Sequence, residues 1–255
     1  MAVEIRALPD RGAIARAAAE FFAAAARAAA EAGDFFSVAL AGGSTPRSLY
    51  RLLADEAAPF RARVPWEAVR LFWGDERHVP PDHLDSNYRM ARETLLECAP
   101  IPVNNVHRIH AEDPDAARAA ADYEGTLTAA FRLAPGAAPR FDLVLLGLGP
   151  EGHTASLFPG SPALLDDAHS VAAPWVATLG AFRITLTPRA LNAAARILFL
   201  VAGEEKAPAV RAVLAGDASP DEVPARVVRP ADGELLWLLD TEAARLLPPE
   251  LVSAA

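Results

Sequence analysis

The stretch from Phe141 to Gly160, FDLVLLGLGPEGHTASLFPG, constrains the fold more than any other part of the sequence. Its first six residues are almost wholly apolar, which is typical of a strand covered on both faces of a parallel sheet. A glycine-rich loop follows at once, and its glycines predict a backbone that other residues adopt only with strain: Gly147, Gly149 and Gly152. Pro159 is expected to end any short helix that begins there. Open α/β sheets bind ligands beyond the carboxyl ends of their strands, so we expect the chemistry in this loop.

Predicted strands and helices alternate along the rest of the chain, without an internal repeat or a low-complexity linker. Further strands are predicted at 3–7, 35–41, 69–73, 182–186, 197–201 and 235–239. Helices are predicted at 12–32, 88–97, 116–133 and 189–195, with others after Thr45, after Lys206 and at the end. This alternation predicts an α/β fold with one doubly wound, mainly parallel sheet and helices on both faces. The 255 residues are expected to form a single domain, residues 1–255.

Composition restricts the class of protein. The net charge of −9 argues against a nucleic-acid partner. No apolar stretch reaches the roughly 18 residues of a membrane span, and VEIRAL near the start carries charges where a secretory signal is apolar. Cys98 is the only cysteine, so an internal disulfide is impossible and a cytoplasmic protein is expected. An acidic protein of this kind needs locally concentrated cations to bind an anionic ligand.

The glycines from Gly147 to Gly152 match the dinucleotide-binding pattern G-x-G-x-x-G. That pattern also needs a full helix after the third glycine and an acidic residue at the end of the next strand. Pro159 interrupts the segment within about two turns, and Asp166 lies in a polar loop. We therefore expect no nicotinamide and no other cofactor. A tight turn without a ligand explains the glycines but leaves His153 unexplained.

His153 follows the last loop glycine and lies close in sequence to Glu151. An imidazole titrates near neutrality, so at a strand end it can act first as a general base and then as a general acid. Four other histidines are interpreted as structural or surface residues: His83, His107, His110 and His169.

The segment Gly42–Pro46, GGSTP, joins a predicted strand to a helix. Thr45 suits the N-cap and Pro46 the first helical turn. The free N–H groups of a helix N-terminus bind anions, although an ordinary capped turn fits the residues equally well. The segment lacks the Gly-Lys-Ser/Thr of a phosphate-binding P-loop. It also lacks the second glycine of a G-x-S-x-G nucleophile motif.

Two cations lie close to predicted strand ends. Lys206 opens a predicted helix, where a positive charge opposes the helix dipole unless an anion is bound. Arg77 follows Asp75 and Glu76. Each cation is also compatible with a plain salt bridge to its acidic neighbours. Two such cations at strand ends favour a shared phosphate ligand.

Four motifs resemble the 6-phosphogluconolactonase family, over almost the whole chain: AGGSTP (41–46), GDERHVPPDHLDSN (74–87), GLGPEGHTASLFPG (147–160) and RITLT with FLVAGEEKA (183–187, 199–207). The resemblance implies a Rossmann-like core shared with glucosamine-6-phosphate isomerases. It implies hydrolysis of a sugar-phosphate lactone with His153 as the base. It also implies a set of phosphate-binding residues: Gly43, Ser44, Thr45, Arg77 and Lys206. We expect Asp75 and Glu151 to orient His153 or sugar hydroxyls, and the loop N–H groups of Gly147, Gly149 and Gly152 to stabilise the oxyanion. Glu151 stands where the family usually has aspartate, and no metal is expected.

Two other functions compete with lactone hydrolysis. An isomerase or deaminase of hexosamine 6-phosphates resembles this chain in the histidine loop, but carries a carboxylate where Phe158 stands. Phenylalanine cannot transfer protons, so that function is disfavoured. A sugar-phosphate-sensing regulator needs a DNA-binding or partner module, and this acidic chain begins almost directly with a strand. A monomer is slightly favoured.

Overall fold

The computed structural model describes residues 3–252, and ten strands lie within that range. They are β1 (Val3–Leu8), β2 (Phe36–Leu40), β3 (Val69–Trp73), β4 (Asp75–Arg77), β5 (Leu143–Leu146), β6 (Val171–Ala172), β7 (Trp175–Val176), β8 (Ala181–Leu186), β9 (Arg196–Val201) and β10 (Glu234–Asp240). Six of them form a parallel sheet, here called the large sheet, in the order β1-β10-β9-β5-β2-β3. All residues of β2 and of β5 are buried, so both faces of the sheet are covered. The predicted parallel α/β sheet is confirmed.

Eight α-helices lie in residues 3–252: α1 (Arg11–Glu31), α2 (Ser44–Ala54), α3 (Pro59–Arg63), α4 (Asn87–Ala91), α5 (Ala116–Phe131), α6 (Pro188–Asn192), α7 (Ala207–Leu214) and α8 (Thr241–Ala244). The long alanine-rich helix α1 is capped by Asp10, whose carboxylate accepts a hydrogen bond from the Ala13 N–H at 2.7 Å. The predicted helix at 88–97 divides into α4 and a π-helical turn, Arg92–Leu96. None of the helices in residues 3–252 combines the length and apolar character needed to cross a membrane.

The chain reverses its direction of travel across the large sheet between β2 and β5. From β2 it runs through α2 to β3 at one edge, and it later returns to β5 on the other side of β2. Such a reversal opens a crevice beyond the carboxyl ends of the two strands, where ligands of doubly wound sheets bind. The GGSTP segment follows β2 and the histidine loop follows β5, so the topology brings the two together.

The strand predicted at 182–186 belongs to a second sheet, which corrects the expectation of one sheet. In this small sheet β8 pairs antiparallel with β4, β6 and β7. The first half of β8 is partly exposed, and polar Arg183 and Thr185 alternate with apolar residues. Alternation suits a strand with one solvated face, whereas the central strands β5 and β9 of the large sheet are almost wholly apolar. The residue pattern therefore already distinguished β8 from these central strands.

Aromatic pairs hold the centre of the large sheet together. Phe199 of β9 and Trp237 of β10 are partners in the ladder, and their rings stack in parallel at 3.7 Å between centroids. Phe22 of α1 meets Phe36 of β2 edge to face at 5.2 Å. All four rings are essentially excluded from solvent, and burying a side chain of this size contributes about 1.5–3 kcal/mol. Ile184 of β8 joins the same continuous core.

Candidate active site

A cavity of about 290 Å³ lies beyond the carboxyl ends of β2, β5 and β9, beside β4 of the small sheet. It is lined by 41–46, Asp75, Arg77, Asn87, 147–150, 153–155, 200–202, Glu205 and Lys206. The four loops singled out from the sequence thus meet at one place. Within residues 3–252, no three His, Cys, Asp or Glu side chains are grouped closely enough to hold a metal ion.

His153 presents one ring nitrogen to the cavity. Its imidazole stacks on the Phe158 ring at 4.2 Å between centroids and 24° between planes. The Nδ1 atom is buried, and it lies 3.2 Å from a carboxylate oxygen of Glu151. The two atoms are not aligned well enough to form a hydrogen bond. The Nε2 atom remains accessible and makes no hydrogen bond with the described residues. A carboxylate beside Nδ1 favours the tautomer with its proton there, which leaves the Nε2 lone pair free to accept one.

Burial dominates the acid–base behaviour of His153. Desolvation lowers the pKa of the imidazole, whereas Glu151 and Asp75 raise it and Lys206 lowers it further, with a net shift below the ordinary value. Glu151 lies in contact with His153, but burial outweighs its effect on the pKa. The imidazole therefore stays neutral, and able to accept a proton, over a wider pH range than a solvated histidine.

The loop glycines are needed for two different reasons. Gly152 has φ +80°, which only glycine adopts readily. Gly149 has an ordinary φ, but a Cβ atom there would lie 2.0 Å from His153 Nδ1, so its missing side chain makes room for the imidazole. A Cβ at Gly147 meets open space. The prediction that all three glycines serve the backbone conformation is wrong for Gly147 and Gly149.

The predicted oxyanion donors also need correction. The Gly149 N–H donates to the His153 carbonyl at 2.8 Å, and the Gly152 N–H donates to the Gly149 carbonyl at 3.0 Å. Both groups are engaged inside the loop and therefore do not point a free donor at a ligand. Of the three predicted donors, Gly147 alone has an N–H that is not engaged in a turn or loop hydrogen bond within residues 3–252. No helix begins between 152 and 160; instead Thr154 Oγ1 donates to the Gly147 carbonyl at 2.8 Å, which closes the loop.

Asp75 is fixed by two neighbours rather than by His153. Ser156 Oγ donates to one carboxylate oxygen at 2.7 Å, and Asn87 Nδ2 donates to the other at 3.1 Å. The Ser156 N–H in turn donates to Thr185 Oγ1 of β8 at 3.2 Å. Asp75 is buried at the cavity wall, so its carboxylate has a single orientation. It acts on His153 through its charge, since no hydrogen bond joins the two side chains.

Glu76 organises the segment after β4, a role that the sequence analysis missed. Its buried carboxylate accepts hydrogen bonds from the N–H groups of Arg77, Asn87 and Tyr88 and from Ser86 Oγ, at 2.7–3.0 Å. Burial raises the pKa of this carboxyl, while these hydrogen bonds counteract the shift. The sequence does show an acidic residue directly after Asp75, but its pattern indicated only a salt-bridge partner for Arg77.

The GGSTP segment leads into the N-terminus of a helix, as predicted, but the residue that caps this helix differs from the prediction. Helix α2 begins at Ser44 with Gly43 as N-cap, and not after a Thr45 cap as predicted. No side chain caps it, and the N–H groups of Gly43 and Ser44 make no hydrogen bond in the described chain. Tyr50 fixes the segment, since its hydroxyl accepts from the Ala41 N–H at 2.9 Å and donates to the Ala41 carbonyl at 2.8 Å. Free N–H groups at the positive end of a helix suit an anion.

The two cations are not neutralised by their acidic sequence neighbours. Glu204 pairs with Arg245 at 2.8 Å, and no salt bridge within residues 3–252 includes Lys206 or Arg77. Arg77 Nη1 donates instead to the Asp85 carbonyl at 2.7 Å. Both side chains line the cavity, so the alternative interpretation as plain salt bridges is not observed.

A sequence model described as glucosamine-6-phosphate isomerases/6-phosphogluconolactonase matches residues 9–237 of this chain. The chain belongs to this family. It is 43% identical over 223 residues to the 6-phosphogluconolactonase of Synechocystis sp., covering 88% of this chain and 89% of that protein. It is 40% identical over 254 residues to the 6-phosphogluconolactonase of Mycobacterium tuberculosis, covering 97% of this chain and all of that protein.

Solved structures agree with this assignment. The 6-phosphogluconolactonase from Trypanosoma brucei superposes with a TM-score of 0.85 and 34% identity, covering 97% of this chain and 99% of that one. A monomeric glucosamine-6-phosphate deaminase superposes with a TM-score of 0.80 at 20% identity, covering 96% of this chain and all of that one. At that identity the second likeness shows a shared fold alone. The Rossmann-like α/β core expected from the motifs is confirmed.

Proposed function

We propose that this protein hydrolyses 6-phospho-D-glucono-1,5-lactone to 6-phospho-D-gluconate. The named relatives support the reaction. The observation that carries it is the accessible Nε2 of His153, held beside a cavity with uncompensated cations and a free helix N-terminus. One base and one anion subsite are what water addition to a phosphorylated lactone requires.

His153 acts as the base in the proposed mechanism. Nε2 takes a proton from a water molecule as its oxygen attacks the C1 carbonyl carbon, giving a tetrahedral oxyanion. When this intermediate collapses, the C1–ring oxygen bond breaks and the imidazolium returns the proton to the departing ring oxygen. Glu151 holds the tautomer and stabilises the imidazolium between the two steps. Water adds across one ester bond, so no covalent enzyme intermediate is needed.

The cavity divides into a reacting end and a phosphate end. At the reacting end, the Gly147 N–H is the proposed oxyanion donor, and Asp75 is the proposed acceptor for a sugar hydroxyl. At the phosphate end, Lys206, Arg77 and the N-terminus of α2 supply the positive charge, with Gly43, Ser44 and Thr45 around it.

An isomerase or deaminase of hexosamine 6-phosphates is the second candidate, since the family description includes isomerases. Such chemistry moves protons between neighbouring carbons and needs a further acid–base group near His153. The ring that stacks on His153 is Phe158, which cannot take that role. This contact favours hydrolysis.

The decisive experiment measures hydrolysis of 6-phosphogluconolactone with the spontaneous reaction subtracted. We expect acceleration by the protein and no release of ammonia from glucosamine 6-phosphate. Ammonia release without lactone hydrolysis would replace the proposed function by the second candidate.

The phosphate subsite predicts a substrate-dependent defect. Replacing Lys206 or Arg77 by alanine removes a charge-assisted hydrogen bond of about 1.5–3 kcal/mol, so KM for the phosphorylated lactone should rise roughly tenfold or more. Hydrolysis of unphosphorylated gluconolactone should change much less. Thermal unfolding of each variant serves as the control for folding. Equal losses on both lactones in folded variants would move these cations to the reacting end.

We further propose a cytoplasmic location. Its support is the single cysteine, exposed Cys98, which leaves the chain without any internal disulfide. Cell fractionation with an antibody against the protein measures this location directly.

A further inference from the structure

The ladder between β4 and β8 places two arginines opposite each other. Its register pairs Arg77 with Arg183 and Asp75 with Thr185. Opposite residues of an antiparallel pair project to the same face, as do residues two apart along one strand. Asp75 and Arg77 line the cavity, so Arg183 and Thr185 belong to the face that borders it. Thr185 is already bonded to Ser156 and the Leu186 carbonyl, which leaves Arg183 as the uncommitted group.

The two arginines form no salt bridge within residues 3–252, although the charges of Asp75, Asp85 and Glu76 act on Arg183. Some other arginines pair with carboxylates, as Arg63 does with Glu20 at 2.7 Å and Arg118 does with Asp113 at 2.6 Å. Neither Arg77 nor Arg183 takes part in such a pair anywhere in the described range. Like charges placed directly opposite each other destabilise a sheet. The pKa of the half-buried Arg183 guanidinium is lowered, chiefly by burial and next by the positive charge of Arg77. The second cause is the repulsion between the two arginines.

The guanidinium of Arg183 is weakly held. Arg183 is not one of the residues that line the cavity, and its Nη1 donates to the Phe182 carbonyl at 3.2 Å. A guanidinium has five N–H donors, and the pair together offers the planar forks that bind phosphate oxygens in a bidentate manner. A dianion between the two arginines removes their repulsion and occupies their free donors at once.

We infer that Arg183 is a second phosphate-binding arginine, which turns from the Phe182 carbonyl to hold the substrate's phosphate together with Arg77. The inference rests on the proposed function. The small sheet then supplies two guanidinium groups to the phosphate, while Lys206 and the N-terminus of α2 approach it from the large sheet. The repulsion between Arg77 and Arg183 in the free protein follows from placing two cations where a doubly charged ligand binds.

The test compares Arg183→Met with the parent protein on phosphorylated and unphosphorylated gluconolactone. Methionine keeps a long apolar side chain and removes the charge. KM for the phosphorylated lactone should rise about tenfold, with kcat within about twofold and the unphosphorylated reaction unchanged. Inorganic phosphate, used as a competitive inhibitor, should lose potency by a similar factor. Arg183→Lys should recover only part of the affinity, because lysine restores the charge without the fork.

Arg229→Met is the matched control, since it removes the same charge from an exposed arginine ahead of the amino end of β10. It should leave both reactions unchanged. If both methionine variants raise KM equally, the effect is long-range charge and the inference fails. It also fails if Arg183→Met leaves KM unchanged, impairs both lactones alike, or unfolds at a lower temperature than the parent. Failure of the proposed function is distinct, because the parent protein itself would then not accelerate hydrolysis of the phosphorylated lactone.

Discussion

Two contacts of His153 act in opposite directions on the charge of its ring. The Glu151 carboxylate, 3.2 Å from Nδ1, favours the imidazolium, and the stacked Phe158 ring keeps water away and favours the neutral form. Neutral imidazole is the reactive form, so kcat/KM falls as the pH drops through the pKa. Because that pKa lies below the ordinary histidine value, the fall is expected on the acid side of about pH 6.5.

Replacing Glu151 by glutamine should move the acid limb to lower pH. The substitution removes the charge that raises the pKa, so desolvation then acts with less opposition. It should also lower kcat, because the tautomer with a free Nε2 is less favoured. The measurement is the pH profile of kcat/KM with the spontaneous reaction subtracted. A limb that moves to higher pH would show that Glu151 is not the charge that acts on His153.

Replacing Phe158 by alanine should move the same limb to higher pH. Water then reaches the imidazole, and the desolvation that lowers its pKa decreases. Phe158→Tyr retains the stacked ring and is the matched control, with an expected pH profile close to that of the parent. If alanine and tyrosine shift the limb equally, the ring stack does not set the pKa.

His153→Ala should fold normally and lose most of its turnover, by about a hundredfold to ten-thousandfold. Uncatalysed lactone opening sets the lower limit of the observed rate. Near-normal turnover after background subtraction would remove His153 from the mechanism.

At the scale of elements, the loop after β5 holds His153 through its shape. Gly149→Ala places a Cβ 2.0 Å from the imidazole Nδ1, so the ring has to move and activity should fall nearly as far as in His153→Ala. Gly147→Ala adds the same methyl group to open space at an ordinary φ and should retain most activity. Activity assays beside circular dichroism measure both variants. Equal activity of the two would show that the ring position tolerates displacement.

Most elements of the large sheet were predictable because their signals are local. Apolar runs such as 197–201 and 143–146 have no solvated face, which identifies strands of a parallel sheet directly. Asp10 and Ser86 precede helices and cap them with their side chains, as short polar residues do. The strand-end positions of His153, Arg77 and Lys206 followed from the same pattern.

The rest depended on contacts between distant segments. The fixed orientation of Asp75 needs Ser156, 81 residues away in sequence, and the role of Glu76 needs the folded 86–88 segment. Glycines do not reveal whether they serve a positive φ or a close approach, as Gly152 and Gly149 show. Helix α2 starts at Ser44 because Gly43 has a positive φ and acts as the N-cap. The residue types of GGSTP do not specify that conformation.

At the scale of the whole molecule, the site lies at the point where strand order reverses. The loops after β2, β5 and β9 and strand β4, all of one chain, line the cavity. We therefore propose that the monomer is the active unit. Light scattering coupled to size-exclusion chromatography should give a mass near the 27.0 kDa of one chain. Activity per chain should stay constant on dilution through the micromolar and nanomolar ranges, because no association step limits the formation of the site. If the protein is a dimer whose activity per chain falls as it dissociates, the proposal is contradicted. If it is a dimer whose activity per chain stays constant on dissociation, assembly is not needed for catalysis and the monomer remains the catalytic unit.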